Sequence, residues 1–126
     1  MDLPHRNVPT PLFILVVDDD ALIAMSTAEM LKDLGHEVIE AYSGKKALEM
    51  LISGARVDLV LTDQAMPRMT GTQLAAEIRR LRPDIPIILA TGYGELPVDA
   101  PKLPRLGKPY TEDDLETAIA AVMGIE

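Results

Sequence analysis

Acidic side chains stand where two short apolar segments of the sequence end. Asp18, Asp19 and Asp20 follow the first segment, and Asp63 follows a later one. Carboxylates that converge must either share protons or hold a cation. Oxygen ligands without histidine or cysteine favour a hard divalent ion such as Mg²⁺. The pattern therefore predicts a magnesium site that includes Asp18, Asp19 and Asp63.

A hydroxyl and an ammonium group close two further apolar segments. Thr91 ends one of them and Lys108 follows the other. Beside bound Mg²⁺, the Asp63 carboxylate could act as a nucleophile toward a phosphoryl group, as carboxylates do in aspartyl-phosphate chemistry. Thr91 could hydrogen-bond one phosphoryl oxygen and Lys108 could ion-pair with another. These residue types together point to phosphoryl transfer.

The elements that must position these residues alternate between strands and helices. Most apolar segments of strand length are followed by a segment with helical periodicity, which favours a parallel sheet covered on both faces. The predicted strands are 12–17, 37–42, 57–62, 85–91 and an edge strand at 102–107, and the predicted helices are 20–34, 43–54, 70–82 and one that opens at Thr111.

The expected fold is α/β, a doubly wound, five-stranded, flavodoxin-like parallel sheet of order 2-1-3-4-5. In that order the polar strand ends are neighbours at the carboxyl edge of the sheet, where open α/β sheets bind ligands. The segment between Thr91 and Lys108 is too short and too rich in proline to hold a full helix beside the fifth strand. We therefore expect a truncated fourth helix.

Composition excludes several classes of protein. The chain has 126 residues, of which 48% are apolar, so it is long enough for one folded domain. It has no cysteine, which excludes a disulfide scaffold and thiolate metal sites. Its net charge of −8 disfavours binding to nucleic acid or to an anionic membrane. Without an apolar leader segment, we expect a cytoplasmic protein with a flexible N-terminal arm at 1–11 and one domain at 12–126.

Four stretches of the sequence carry a resemblance to a known family. They are VVDDD (16–20), DLVLTDQAMPRMTG (58–71), ILATG (88–92) and LGKPY (106–110). The chain resembles the receiver domain of two-component response regulators, and its ATGYGELP and LPRLGKPY stretches resemble receivers found in hybrid sensor histidine kinases.

The resemblance implies a role for each site residue. Asp63 would accept a phosphoryl group from a sensor histidine kinase or a histidine phosphotransfer domain. Asp19, Asp63 and the main-chain carbonyl of Ala65 would ligate Mg²⁺ directly, and Asp18 would act through water. Thr91 and Lys108 would bind the phosphoryl group. The domain would thus be a phosphoacceptor that assists its own phosphorylation and dephosphorylation rather than an enzyme.

Three departures from the family pattern affect the expected output. Arg105 stands where many receivers have an aromatic residue whose inward movement reports phosphorylation, the fourth helix is short, and Ala65 offers no side chain to orient a hydrolytic water. Tyr93 is expected to shield the site. We therefore expect the loop 92–101 to report phosphorylation.

Other functions compete with this interpretation. The first is a receiver-like module that signals without phosphorylation. A haloacid-dehalogenase-type phosphatase also uses strand-end aspartates, but Leu22 departs from its opening motif. A flavodoxin-like FMN carrier would need a Ser/Thr/Gly-rich cradle in place of the acidic residues after the first strand. His5 and His36 fit none of these sites and are expected at the surface. The cognate kinase, the downstream target, the oligomeric state and the extent of the full-length protein stay open.

Overall fold

A five-stranded parallel sheet forms the centre of the computed structural model, which describes residues 11–97, 100 and 102–124. The strand order is β2-β1-β3-β4-β5, as predicted. The strands are β1 (Phe13–Val17), β2 (Glu37–Ala41), β3 (Leu59–Asp63), β4 (Ile87–Thr91) and the short edge strand β5 (Arg105–Gly107).

Within the described residues, four helices connect or follow the strands, and each starts at a polar cap. Asp20 caps the first helix by accepting from the Leu22 and Ile23 amides. Thr70 and Thr111 open the last two helices, each with a reciprocal capping box. The helices are α1 (Ala21–Asp33), α2 (Gly44–Ile52), α3 (Gly71–Leu81) and α4 (Glu112–Val122). None of the helices in the described part of the chain is long and apolar enough to cross a membrane.

Two apolar cores lie on opposite faces of the sheet. Alternate strand residues point to opposite faces, so each strand contributes to both cores. One core contains Leu74 and Ile78 of α3 together with residues of α2, and the other contains Leu31 of α1 and Leu115 of α4. Because both faces are covered, the strands read as continuous apolar runs, and the sheet is a rigid support for whatever lies at its carboxyl edge.

The connection between β4 and β5 contains no helix among its described residues, which are 92–97, 100 and 102–104. The prediction of a truncated fourth helix is therefore confirmed for these residues, and α4 is the last helix within the described residues. The predicted N-terminal arm falls largely on residues 1–10, which lie outside the described residues.

His36 lies in the interior, so the prediction that it is a surface residue was wrong. Its side chain is only 6% exposed, and its Nδ1 accepts a hydrogen bond of 3.0 Å from the Leu12 amide at the start of β1. Burial lowers the pKa of His36, although the charge of Glu116 acts in the opposite direction. The histidine thus fastens the start of β2 to the start of β1 as a neutral acceptor.

We expect His36 to make the fold sensitive to mild acid. A proton on Nδ1 would remove the acceptor, and the pKa is lowered in the folded state, so this contribution to stability is lost as pH falls through the unfolded value of 6.5. Between pH 7.5 and 5.5, the wild type should lose more free energy of unfolding than His36→Asn, which keeps an acceptor that does not titrate. Urea denaturation at both pH values measures this, and equal losses would contradict it.

Candidate functional site

Three carboxylates meet at the carboxyl edge of the sheet. Asp18 directly follows β1, and Asp63 is the last residue of β3. The register that pairs Val17 with Thr62 brings the two strand ends side by side. Carboxylate oxygens of Asp18, Asp19 and Asp63 all lie within 4.8 Å of one another. The structure therefore brings together the three side chains that the sequence assigned to a metal site.

Burial and mutual repulsion make this cluster costly when all three groups are ionised. Burial, partly offset by the hydrogen bond of 2.9 Å from the Asp20 amide, raises the pKa of Asp18 from 3.8 to about 6, and the charges of Asp63 and Asp19 add to the rise. Burial also raises the pKa of Asp63, although Lys108 acts in the opposite direction. A bound cation would remove most of this cost.

Lys108 supplies positive charge directly beside Asp63. Its Nζ lies 2.5 Å from Asp63 Oδ1 and the lysine follows β5 at the same edge of the sheet. Burial would lower the pKa of Lys108, but contact with Asp63 and Glu95 outweighs it and the pKa is raised. Oδ1 is buried and receives no aligned hydrogen bond from any described residue, so its contact with the Lys108 ammonium is an ion pair.

Glu95 is a member of the site that the sequence analysis missed. Its Oε1 lies 3.5 Å from Lys108 Nζ and accepts a hydrogen bond of 2.8 Å from the Gly92 amide. Gly92 through Glu95 form a turn closed by the Glu95 amide and the Gly92 carbonyl, with φ of 76° at Gly94. A glycine at that position permits such a turn, and the turn folds Glu95 back onto the lysine.

Thr91 ends β4 between the strands that carry Asp63 and Lys108. Ala90 pairs with Asp63, and Thr91 pairs with Gly107, the residue before Lys108. The Thr91 carbonyl accepts from the Lys108 amide at 2.8 Å. The backbones of Thr91 and Lys108, which carry the predicted hydroxyl and ammonium groups, are therefore neighbours.

The loop after β3 is anchored at both of its ends. The Gln64 side chain accepts from the Thr72 amide at 2.9 Å, and the Gln64 carbonyl accepts from the Gly71 amide at 3.0 Å. A Cβ on Gly71 would lie 2.4 Å from the Asp63 carbonyl oxygen, so only glycine allows α3 to start so close to the end of β3. This loop carries Ala65, whose carbonyl was expected to bind the ion.

The sequence matches the profile of the response regulator receiver domain over residues 14–120. This chain belongs to the response-regulator receiver family. Among curated relatives, the sensor kinase CckA of Brucella abortus is 37% identical over 117 residues, and the transcriptional regulatory protein PdtaR of Mycobacterium tuberculosis is 37% identical over 119 residues. The matched regions are 87% and 90% of this chain but only 12% and 57% of those proteins.

A solved receiver shows the same fold with ligands. The response regulator TrrA of Thermotoga maritima, in complex with Mg²⁺ and beryllofluoride, is 34% identical, with a TM-score of 0.78 over 88% of this chain and 98% of that one. The resemblance to receiver domains that the sequence indicated is therefore confirmed, and a haloacid-dehalogenase-type phosphatase is not favoured. Histidine kinases supply the phosphoryl groups that receiver domains accept.

Two surface positions bear on the departures from the family pattern. Arg105 on β5 is exposed, as its charge requires. The Tyr93 side chain is fully exposed on the β4–β5 connection. Tyr93 does not cover the acidic cluster, so the expectation that it shields the site was wrong for this conformation of the receiver.

The residues present fit a hard divalent cation. The donors are carboxylate oxygens, two of the three aspartates have raised pKa values, and Asp63 Oδ1 is a buried acceptor without an aligned donor among the described residues. This combination is typical of a site whose crowded negative charge is offset by a bound cation.

Asp18→Asn is expected to stabilise the metal-free receiver at pH 7. The variant keeps the oxygen that accepts from Asp20 but removes a buried charge. Because the folded-state pKa of Asp18 is raised to about 6, the cost is present above that pH and fades as pH falls toward 3.8. Urea denaturation in EDTA should show a gain on the order of 2 kcal/mol at pH 7 that shrinks at pH 4.

Glu77→Gln is the matched control for Asp18→Asn, because it removes one negative charge from an exposed position on α3. It should leave the free energy of unfolding almost unchanged. Adding Mg²⁺ should stabilise the wild type and the control more than Asp18→Asn. A metal-free Asp18→Asn variant that is less stable than the wild type at pH 7 would contradict the assignment of repulsion to this cluster.

Proposed function

We propose that Asp63 of this receiver accepts a phosphoryl group from a phosphohistidine on a sensor histidine kinase or a histidine phosphotransfer domain. The observation that carries the proposal is the setting of Asp63, which is 6% exposed, shares a cluster with Asp18 and Asp19, and contacts the ammonium of Lys108. A buried nucleophile between an acidic pair and a cation is built to receive a charged group that arrives with a metal ion.

Mg²⁺ is the ion we assign to the acidic cluster. Asp19, Asp63 and the main-chain carbonyl of Ala65 would hold it directly, and Asp18 would act mostly through water. When bound, the ion supplies charge that lets a phosphoryl group approach the three carboxylates. Asp18 and Asp63 would then stay ionised at neutral pH in spite of their burial.

The transfer itself needs few groups. An Asp63 carboxylate oxygen attacks phosphorus, the phosphorus–nitrogen bond of the phosphohistidine breaks, and its electron pair returns to the imidazole nitrogen. Lys108, already in contact with Asp63, moves to a phosphoryl oxygen and offsets its charge. Thr91, at the adjacent strand end, donates its hydroxyl to another. Each receiver domain accepts one phosphoryl group, rather than turning over a substrate.

The donor protein is expected to dock beside the site on α1. Leu22, Ile23 and Met25 are 74%, 42% and 50% exposed there, which is unusual for large apolar side chains on one helix turn. Leu22 and Ile23, together with Thr27 and Tyr110, whose hydroxyls lie 2.7 Å apart, border a groove that reaches Lys108. A helical partner carrying the phosphohistidine would cover this apolar surface and present its imidazole to Asp63.

Incubation with acetyl phosphate and Mg²⁺ should add one phosphoryl group to the receiver, as measured by intact-protein mass spectrometry. Asp63→Asn should abolish the addition, since the amide cannot attack phosphorus, and EDTA should abolish it in the wild type. Asp58→Asn, which changes a carboxylate at the other end of β3, is the matched control and should label normally. Equal labelling of Asp63→Asn would refute the proposal.

This labelling assay and a phosphatase assay together distinguish the proposed function from its alternatives. A module that signals without phosphorylation would take no phosphoryl group under any of these conditions. A phosphatase would turn over p-nitrophenyl phosphate continuously, whereas a phosphoacceptor would release product only in proportion to its own labelling and decay.

A further inference from the structure

The Glu95 carboxylate sits where an anion would bind beside the acceptor. Its Oε1 contacts two donors at once, the Lys108 ammonium at 3.5 Å and the Gly92 amide at 2.8 Å. An ammonium and a backbone amide that converge on one anionic oxygen are a common arrangement for binding phosphate. Since Lys108 Nζ also lies 2.5 Å from Asp63 Oδ1, this position adjoins the acceptor.

We propose that Glu95 is a positioning residue that occupies part of the phosphoryl-binding position in the unphosphorylated receiver and is displaced when Asp63 is phosphorylated. This inference rests on the proposed function. The carboxylate and the incoming phosphoryl group would compete for the same ammonium. Both are anionic, so they cannot share it without repulsion.

The charge balance at Lys108 supports the competition. Before phosphorylation, one ammonium faces the carboxylates of Asp63 and Glu95. Phosphorylation replaces the −1 carboxylate of Asp63 with an acyl phosphate of about −2 charge, while Glu95 keeps its own charge within ion-pair distance of the same nitrogen. Repulsion between Glu95 and the phosphoryl dianion would therefore exceed its repulsion with the Asp63 carboxylate.

Displacement of Glu95 would also change the loop. The Glu95 side chain closes the turn 92–95 through the Gly92 amide, and neighbouring Leu96 packs against the core. Once the carboxylate leaves, the Gly92 amide loses its acceptor and the turn loses its polar closure. Phosphorylation is thereby converted into a rearrangement of the β4–β5 connection, which carries the exposed Tyr93.

Glu95→Gln tests the competition without dismantling the turn, because the amide oxygen still accepts from Gly92 but carries no charge. Titration of Mg²⁺-loaded receiver with beryllofluoride, followed by amide NMR signals, should show binding about fivefold tighter or more than wild type, the lower end of usual coupling between sites. Glu77→Gln, which removes an exposed charge on α3, should change binding less than twofold.

Tighter beryllofluoride binding by Glu95→Gln is the readout that a merely structural role would not produce, because replacing a side chain that only held the turn would weaken binding. In the wild type the Gly92 amide signal should also shift on beryllofluoride binding, because its acceptor changes. Glu95→Gln binding no more tightly than Glu77→Gln, or a Gly92 signal that stays in place in the wild type, would overturn the inference. Failure of the wild type to bind beryllofluoride at all would instead overturn the proposed function.

Discussion

Crowded negative charge at one edge of the sheet has to be held in place by the rest of the fold. Three carboxylates lie within 4.8 Å of one another, and burial raises the pKa of two of them. An isolated cluster of this kind would move apart or take up protons. It persists because the strands that carry it are fixed by apolar cores on both faces, and because the Lys108 ammonium contacts Asp63.

The register of the sheet determines which charged side chains meet at this edge. Side chains alternate along a strand, so Asp18, Asp63 and Lys108 continue the same face as Val16, Leu61 and Leu106, each two residues earlier. A slip of one residue in any of the three strands would send its charged group to the opposite face. The apolar residues that fix the register therefore also fix which charges meet, and packing and chemistry are selected together.

The sequence was sufficient for the parts that depend on strand ends. Each of Asp18, Asp63, Thr91 and Lys108 follows or closes an apolar run, and parallel topology alone puts such residues at one edge. Glu95 could not be found this way, because its contact depends on the turn that Gly94 permits rather than on any strand. His36 was missed for a similar reason, since its acceptor role depends on the non-local partner Leu12.

The described residues between β4 and β5 form no helix, and this changes what kind of contact can connect the loop to the site. A helix would hold the segment by apolar packing, which responds to shape and is insensitive to a distant charge. Here the described part of the loop is held by Leu96 at the core and by the carboxylate of Glu95 at the site. A polar contact of this kind responds directly to charge, and the event at Asp63 is a change of charge. With Arg105 exposed on β5 in place of an aromatic side chain, a loop held by an ion pair is the element best suited to sense that event.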